Sequence, residues 1–203
     1  MSAKEELIPT VAQAFEQLIE VAQEAAEHGV TRLTDSWGPR EIVAHLAGWE
    51  MIATVHIPKI VASMPPLFIY PDKTQQETLN EALNTMMVTL VGEQPLSILC
   101  DMLRRAYQRD IEMLEKLDES LFQPGQYVHG RTKAVIDHCQ EHVEGLLLSW
   151  AMLYQEQGKY VKAEPLVKRA LTICEQALGA DHPHTQSVHH TYDLLVQEME
   201  RNL

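Results

Sequence analysis

Apolar residues recur in this chain at three- and four-residue steps, and that spacing constrains the fold more than any other feature. Leu7, Val11, Ala14, Phe15, Leu18, Ala22 and Ala25 form one such row, with Glu16, Glu20, Gln23 and Glu27 on the other sides. A row like this lies along one face of an α-helix and turns that face toward a core. Strand signals are nearly absent: β-branched residues are scattered, Asn-Gly hairpin dipeptides are missing and aromatics make up only 6%. The pattern predicts an all-α protein.

Helix by helix, the first row carries Pro9 as a first-turn kink, since proline removes one amide bond. A second helix opens at Gly38-Pro39, where the missing N–H costs nothing, and runs to about Val61 with Ile42, His45, Leu46, Trp49, Ile52 and His56 on one face. Ser63 to Lys73 holds three prolines and is expected as loop. A shorter helix should span Thr74 to Leu90, and a longer one Leu96 to Leu117 with a ridge of Ile98, Met102, Ala106, Ile111 and Leu114. Asp118 to Arg131, containing Pro124, Gly125 and Gly130, reads as loop. Val135, Cys139, Val143, Leu146 and Leu147 then mark a further helix. Residues 1–149 are therefore expected to pack as a four-helix bundle with one accessory helix.

Residues 150–203 have a different rhythm. Helices are expected to about Gln157, from Tyr160 to Leu178, and from His184 to Glu200, with Gly158 and Gly179 at the turns. Paired helices with glycine at the turn are the unit of a helical repeat. No breaker separates the last bundle helix from the first of these, so Leu146 to Tyr154 should be continuous helix.

At 203 residues the chain is long enough for a core that needs no disulfide or metal. Its 16 basic residues against 29 acidic ones give a net charge of −13, which disfavours nucleic acid and anionic lipid as partners. Cys100, Cys139 and Cys174 are too widely spaced for a disulfide framework or a thiolate zinc site, and all three are expected as buried, inert thiols. No apolar run approaches the roughly 20 residues of a membrane span, and the start carries Lys4, Glu5 and Glu6 rather than a signal peptide. A cytoplasmic location is the expectation.

Ten histidines stand out. His138 and His142 are four apart on one helix, a spacing that lets two imidazoles share one divalent ion. His45 lies on an inward face of a facing helix. It is either a satisfied core histidine or a third nitrogen ligand, which would leave positions open for water or substrate on zinc, nickel or iron. His56, eleven residues beyond His45, is too far along the axis to share that centre. His28 should serve a helix C-terminus, and His182, His184, His189 and His190 read as turn and surface. Asp137 and Glu141 flank the histidine pair as orienting groups or as a solvated face. Trp37, at a helix mouth, His129, in a loop near the end of the bundle, and Arg104 with Tyr107 are the candidate substrate contacts.

The segment Trp37-Gly-Pro-Arg-Glu-Ile-Val-Ala-His45-Leu-Ala-Gly-Trp49-Glu50, together with Asn80 to Asn84, Asp118-Glu-Ser-Leu-Phe122 and a final helix bearing His138, His142 and Trp150, resembles the DinB/YfiT-like superfamily of four-helix proteins, and within it the ClbS/DfsB branch. The resemblance implies a divalent metal held by one histidine of the second helix and a pair on the last, roles that match His45, His138 and His142. It also implies thiol-dependent transferase, isomerase or self-protecting hydrolase chemistry, with metal-free members in the ClbS-like branch. From Trp150-Ala-Met-Leu-Tyr154 through Gly158, Tyr160, Ala163 and Ala170-Leu171 to Leu178-Gly-Ala-Asp181-His182-Pro183, the chain resembles a tetratricopeptide repeat of the kinesin-light-chain type. Ala163 and Ala170 would permit close helix approach, and Leu171 and Leu178 would fill the gap. About three repeats are needed for a free-standing solenoid, so a single one must lean on other structure.

Two functions are expected. One is a metal-dependent enzyme acting on an electrophilic small molecule, as hydrolase or thiol transferase, in self-protection or detoxification. The alternative is a non-enzymatic interaction protein whose repeat contacts a protein partner or forms a homodimer.

Overall fold

The computed structural model describes residues 2–33, 37–67, 73–91 and 93–201. The middle of the expected 63–73 loop, part of the link before Trp37, and Gly92 lie outside these. Among the described residues there are seven α-helices, one 3-10 turn and no strand, so the protein is all-α. The helices are α1 (Ala3–Glu27), α2 (Pro39–Val61), α3 (Lys73–Val91), α4 (Leu96–Leu114), α5 (Tyr127–Glu156), α6 (Tyr160–Leu178) and α7 (Pro183–Arg201), with the 3-10 turn at Glu119–Phe122. They pack as two compact units, Met1–Glu16 with Arg40–Ala134 and Gln17–Pro39 with Val135–Leu203, and α1 and α5 each contribute a stretch to both.

α2 begins at Pro39 as its sequence requires, and in the first unit it buries Ile42, Val43, Leu46 and Ala47. Ala53 and Ile57 of the same helix join Leu114, Phe122 and Val128 in an apolar cluster, against which Leu7 and Ile8 pack. The buried stripe of α4 is Leu99, Leu103, Ala106, Asp110 and Leu114. Ala106 and Leu114 of the expected ridge are buried, whereas Ile98, Met102 and Ile111 give way to their neighbours Leu99, Leu103 and Asp110, and Ile98 remains 45% exposed. A charged residue interrupts the apolar reading of that stripe, and Asp110 is buried because Arg131 meets it. The same helix ends three residues early. Lys116 and Leu117 donate to the carbonyls of Met113 and Leu114 in a tightened last turn, and the Lys4 ammonium takes the Glu115 and Leu117 carbonyls at 2.8 and 2.7 Å. Asp118 caps the 3-10 turn by accepting from the Ser120 amide at 2.9 Å.

Residues 127–131, expected as loop, are the first turn and a half of α5. Burial of Val128 and the ionic contacts of Arg131 outweigh the cost of Gly130 in a helix, about 1 kcal/mol.

In the second unit, Leu18, Ile19, Ala22 and Ala25 of α1 are buried, as are Cys139, Val143, Leu146, Leu147 and Ala151 of α5. α5 is continuous through Leu146–Tyr154 as the absence of a breaker demands. At its end Gly158, at φ +68°, directs its amide to the Gln155 carbonyl while the Lys159 amide reaches Tyr154, both at 2.8 Å. That is a Schellman turn, which glycine enters without a Cβ clash. α6 then packs on α7 through Ala163, Val167, Ala170 and Cys174 on one side and Val188 and Leu195 on the other. Leu171 is half-buried, but Leu178 does not fill a gap: it is 45% exposed at the last position of α6, where the buried stripe has ended.

Candidate metal centre

His138 and His142 sit one turn apart on α5 within the second unit, both half-buried, and their Nε2 atoms lie 3.0 Å apart. At that separation one ring donates and the other accepts; two lone pairs could not face each other without a proton or a cation between them. A tetrahedral ion with bonds of about 2.0–2.1 Å holds its nitrogens roughly 3.3 Å apart, so the pair matches such an ion with little movement. The adjacent Cys139 is fully buried, as its position round the helix implies.

His45 lies in the first unit on α2 and is 1% exposed. Its Nδ1 lies 3.4 Å from the Glu41 carbonyl, which can only accept, and a proton on Nδ1 is the arrangement that leaves the Nε2 lone pair for a metal.

The candidate substrate contacts fall into three places. Arg104 and Tyr107 come together in the first unit on Glu16: Arg104 Nε is 3.4 Å from the carboxylate and the Tyr107 hydroxyl donates to it. Tyr107 also stacks on Phe15 with ring centroids 4.9 Å apart, and burial, followed by the Glu16 contact, pushes its phenol up to about 12. His129 donates from Nδ1 to the Phe122 carbonyl at 2.7 Å and so ties the 3-10 turn to α5. Trp37, in the second unit, is half-buried, and its carbonyl accepts from the Leu33 amide at 2.6 Å. His28 donates to the Glu24 carbonyl at the end of α1, as expected, and packs against Trp150 at 4.5 Å. His56 accepts from the Leu67 amide at 3.3 Å in the first unit, and burial and Arg131 lower its pKa.

A tetratricopeptide-repeat family model matches residues 149–184. That stretch takes in the end of α5, all of α6 and the start of α7. Residues 149–184 are thus a helical repeat of a kind that commonly mediates protein–protein contact. No curated protein and no solved structure matches the chain.

Two groupings escape the sequence reading. In the first unit, Arg131 contacts Glu50 at 2.8 Å and Asp110 at 2.7 Å, and all three side chains are largely withdrawn from solvent. One guanidinium faces two carboxylates. Burial, with Glu50 added to it, overrides the pull of Arg131 and pushes the Asp110 carboxyl up to about 7. In the second unit, His184 and Cys174, expected as surface and as an inert thiol, converge on Glu144. Positions 144, 174 and 184 belong to three helices, and no local spacing announces them.

Proposed function

We propose that the chain is a divalent-metal protein of the DinB/YfiT-like kind, with His138 and His142 as a ligand pair and His45 as the third nitrogen. The observation that carries this reading is the 3.0 Å approach of the two Nε2 atoms. The burial of His45 and the place of its Nδ1 beside the Glu41 carbonyl support it. A zinc, nickel or iron ion held there would supply Lewis acidity, lowering the pKa of a bound water or thiol. The reaction class that follows is hydrolysis of, or thiol transfer to, an electrophilic small molecule, as in self-protection or detoxification. Trp37, Arg104, Tyr107 and His129 are the proposed substrate contacts; Tyr107 would have to give up its bond to Glu16 to serve. The proposed setting is cytoplasmic; among the described residues no helix is long and apolar enough to cross a membrane.

The test is metal content by elemental analysis of protein made with ample zinc, nickel and iron. Replacing His138 or His142 by Ala should lower the content by about one ion per chain. An unchanged content in both variants overturns the reading.

A second reading is favoured by the repeat match at residues 149–184. Here the repeat docks a protein partner or a second copy of the chain, and the histidine pair shares a proton instead of an ion. A metal content indifferent to His138 and His142 would leave this reading standing.

A further inference from the structure

A cavity of about 690 Å³ opens in the second unit, walled by α5, α6 and the start of α7. Its apolar wall includes Leu148, Met152 and Leu178, while Asp137, Glu141 and Glu144 make its polar side acidic. At the polar side one ligand atom each from Glu144, Cys174 and His184 lies within 4.8 Å of the other two. His184 Nε2 sits 3.0 and 2.9 Å from the two Glu144 oxygens.

We propose that Glu144, Cys174 and His184 form a second divalent-metal site, suited to zinc, which clasps α5, α6 and α7 together. The donor set is one sulfur, one nitrogen and one oxygen, the mixture that borderline-soft zinc accepts and that hard magnesium or calcium does not. A tetrahedral zinc holds such atoms roughly 3.3–3.8 Å apart, and the three ligand atoms here all lie within 4.8 Å of one another. Three protein ligands would leave a fourth position for water, and all three residues line the cavity.

The arrangement does not fit a nucleophilic cysteine. Such a thiol needs a base that removes its proton or a positive neighbour that lowers its pKa. At Cys174 the thiol is buried beside the Glu144 carboxylate, and the imidazole within reach, His184, has its Nε2 turned to that carboxylate at 2.9 Å. A divalent ion changes the sign of that field. It takes the place of the thiol proton, is balanced by two anionic ligands, and releases the proton to solvent.

The clasp also answers a structural need. One repeat is matched, at residues 149–184, and a repeat buries its faces only against neighbouring structure. Glu144 precedes residues 149–184, Cys174 lies inside them and His184 ends them. An ion bound by all three fixes the repeat to the helix that leads into it.

The test uses the full chain with His138 and His142 both replaced by Ala, so that the histidine pair described above makes no contribution. Cobalt(II) added to this protein should give a thiolate-to-cobalt charge-transfer band with a stoichiometry of one per chain. Cys174→Ser should abolish the band. Glu144→Gln and His184→Ala should each weaken cobalt and zinc binding by more than the 10–100-fold typical of outer-shell changes. His184 is half exposed, so its variant keeps the fold, which far-ultraviolet circular dichroism checks. Absence of the band, its survival in Cys174→Ser, or affinity indifferent to Glu144 and His184 overturns the proposal.

Discussion

Arg131 shows what a buried ionic group asks of its neighbours. Its guanidinium answers two carboxylates, Glu50 and Asp110, with side-chain exposures of 13%, 2% and 3%. Burial disfavours the charged Asp110 carboxylate, the Glu50 anion adds to that, and together they outweigh Arg131, so Asp110 holds a proton more tightly than a free aspartate does. Its pKa is near 7 when folded against 3.8 for the free side chain. Between about pH 4 and pH 7 the folded state therefore binds more protons than the unfolded one, so stability falls as pH rises through that window and levels off above it. Denaturant titrations at several pH values should show this fall, and Asp110→Asn, which needs no proton to be neutral, should flatten it. A wild-type stability that climbs between pH 4 and 7 in a manner dependent on Asp110 would contradict the account.

At the scale of the element, α1, α5 and α6 are each followed by a glycine with positive φ, at Gly29, Gly158 and Gly179, and α2 is followed by a serine instead. Ser63 follows α2 in the left-handed region at φ 54°, with its amide on Ile60 and the Met64 amide on Lys59. This is the turn that Gly158 makes after α5, formed by a residue with a Cβ. Ser63→Gly should raise stability by about 0.5–1 kcal/mol, and Gly158→Ala should lower it by about 1 kcal/mol, both read from urea midpoints. The same physics explains what could be read in advance. The limits of α2 and α6, and the unbroken run of α5, follow from Pro39, Gly158 and Gly179 together with three-four apolar spacing. The face of α4 followed only at Ala106 and Leu114, because its true stripe passes through Asp110, and nothing local says that a cation seventy-odd ångströms of extended chain away will meet it. The start of α5 was hidden for the related reason that Gly130 argues for a loop while the contacts of Arg131 and Val128 argue for a helix. Of the sites, the His138–His142 pair was legible because it lies within one helical turn. Glu144, Cys174 and His184 were not, because a grouping drawn from three helices has no sequence period.

For the whole molecule, the dominant quantity is the net charge of −13. Charges of one sign repel over distances comparable to the Debye length, and folding brings them closer than the open chain does. Raising monovalent salt from about 10 mM to about 150 mM should therefore raise the Tm. A falling Tm would mean that specific ion pairs outweigh the general repulsion. Exposed pairs such as Lys73–Glu77 and Arg201–Glu198 are too few and too solvated to do that. Divalent ions should act beyond this screening, at lower concentration and only where the ligand histidines and Cys174 are intact.

His142 and Glu144 stand two residues apart on one uninterrupted helix, so the angle between them is set by the α-helical rotation of about 100° per residue. Point changes elsewhere on α5 leave that phase alone. A single inserted or deleted residue between the two would swing everything downstream by more than a quarter turn and aim Glu144 at the wrong neighbours. Descent with modification in this gene should thus permit substitutions along α5 yet keep its length, while additions and losses collect in the short turn around Gly158.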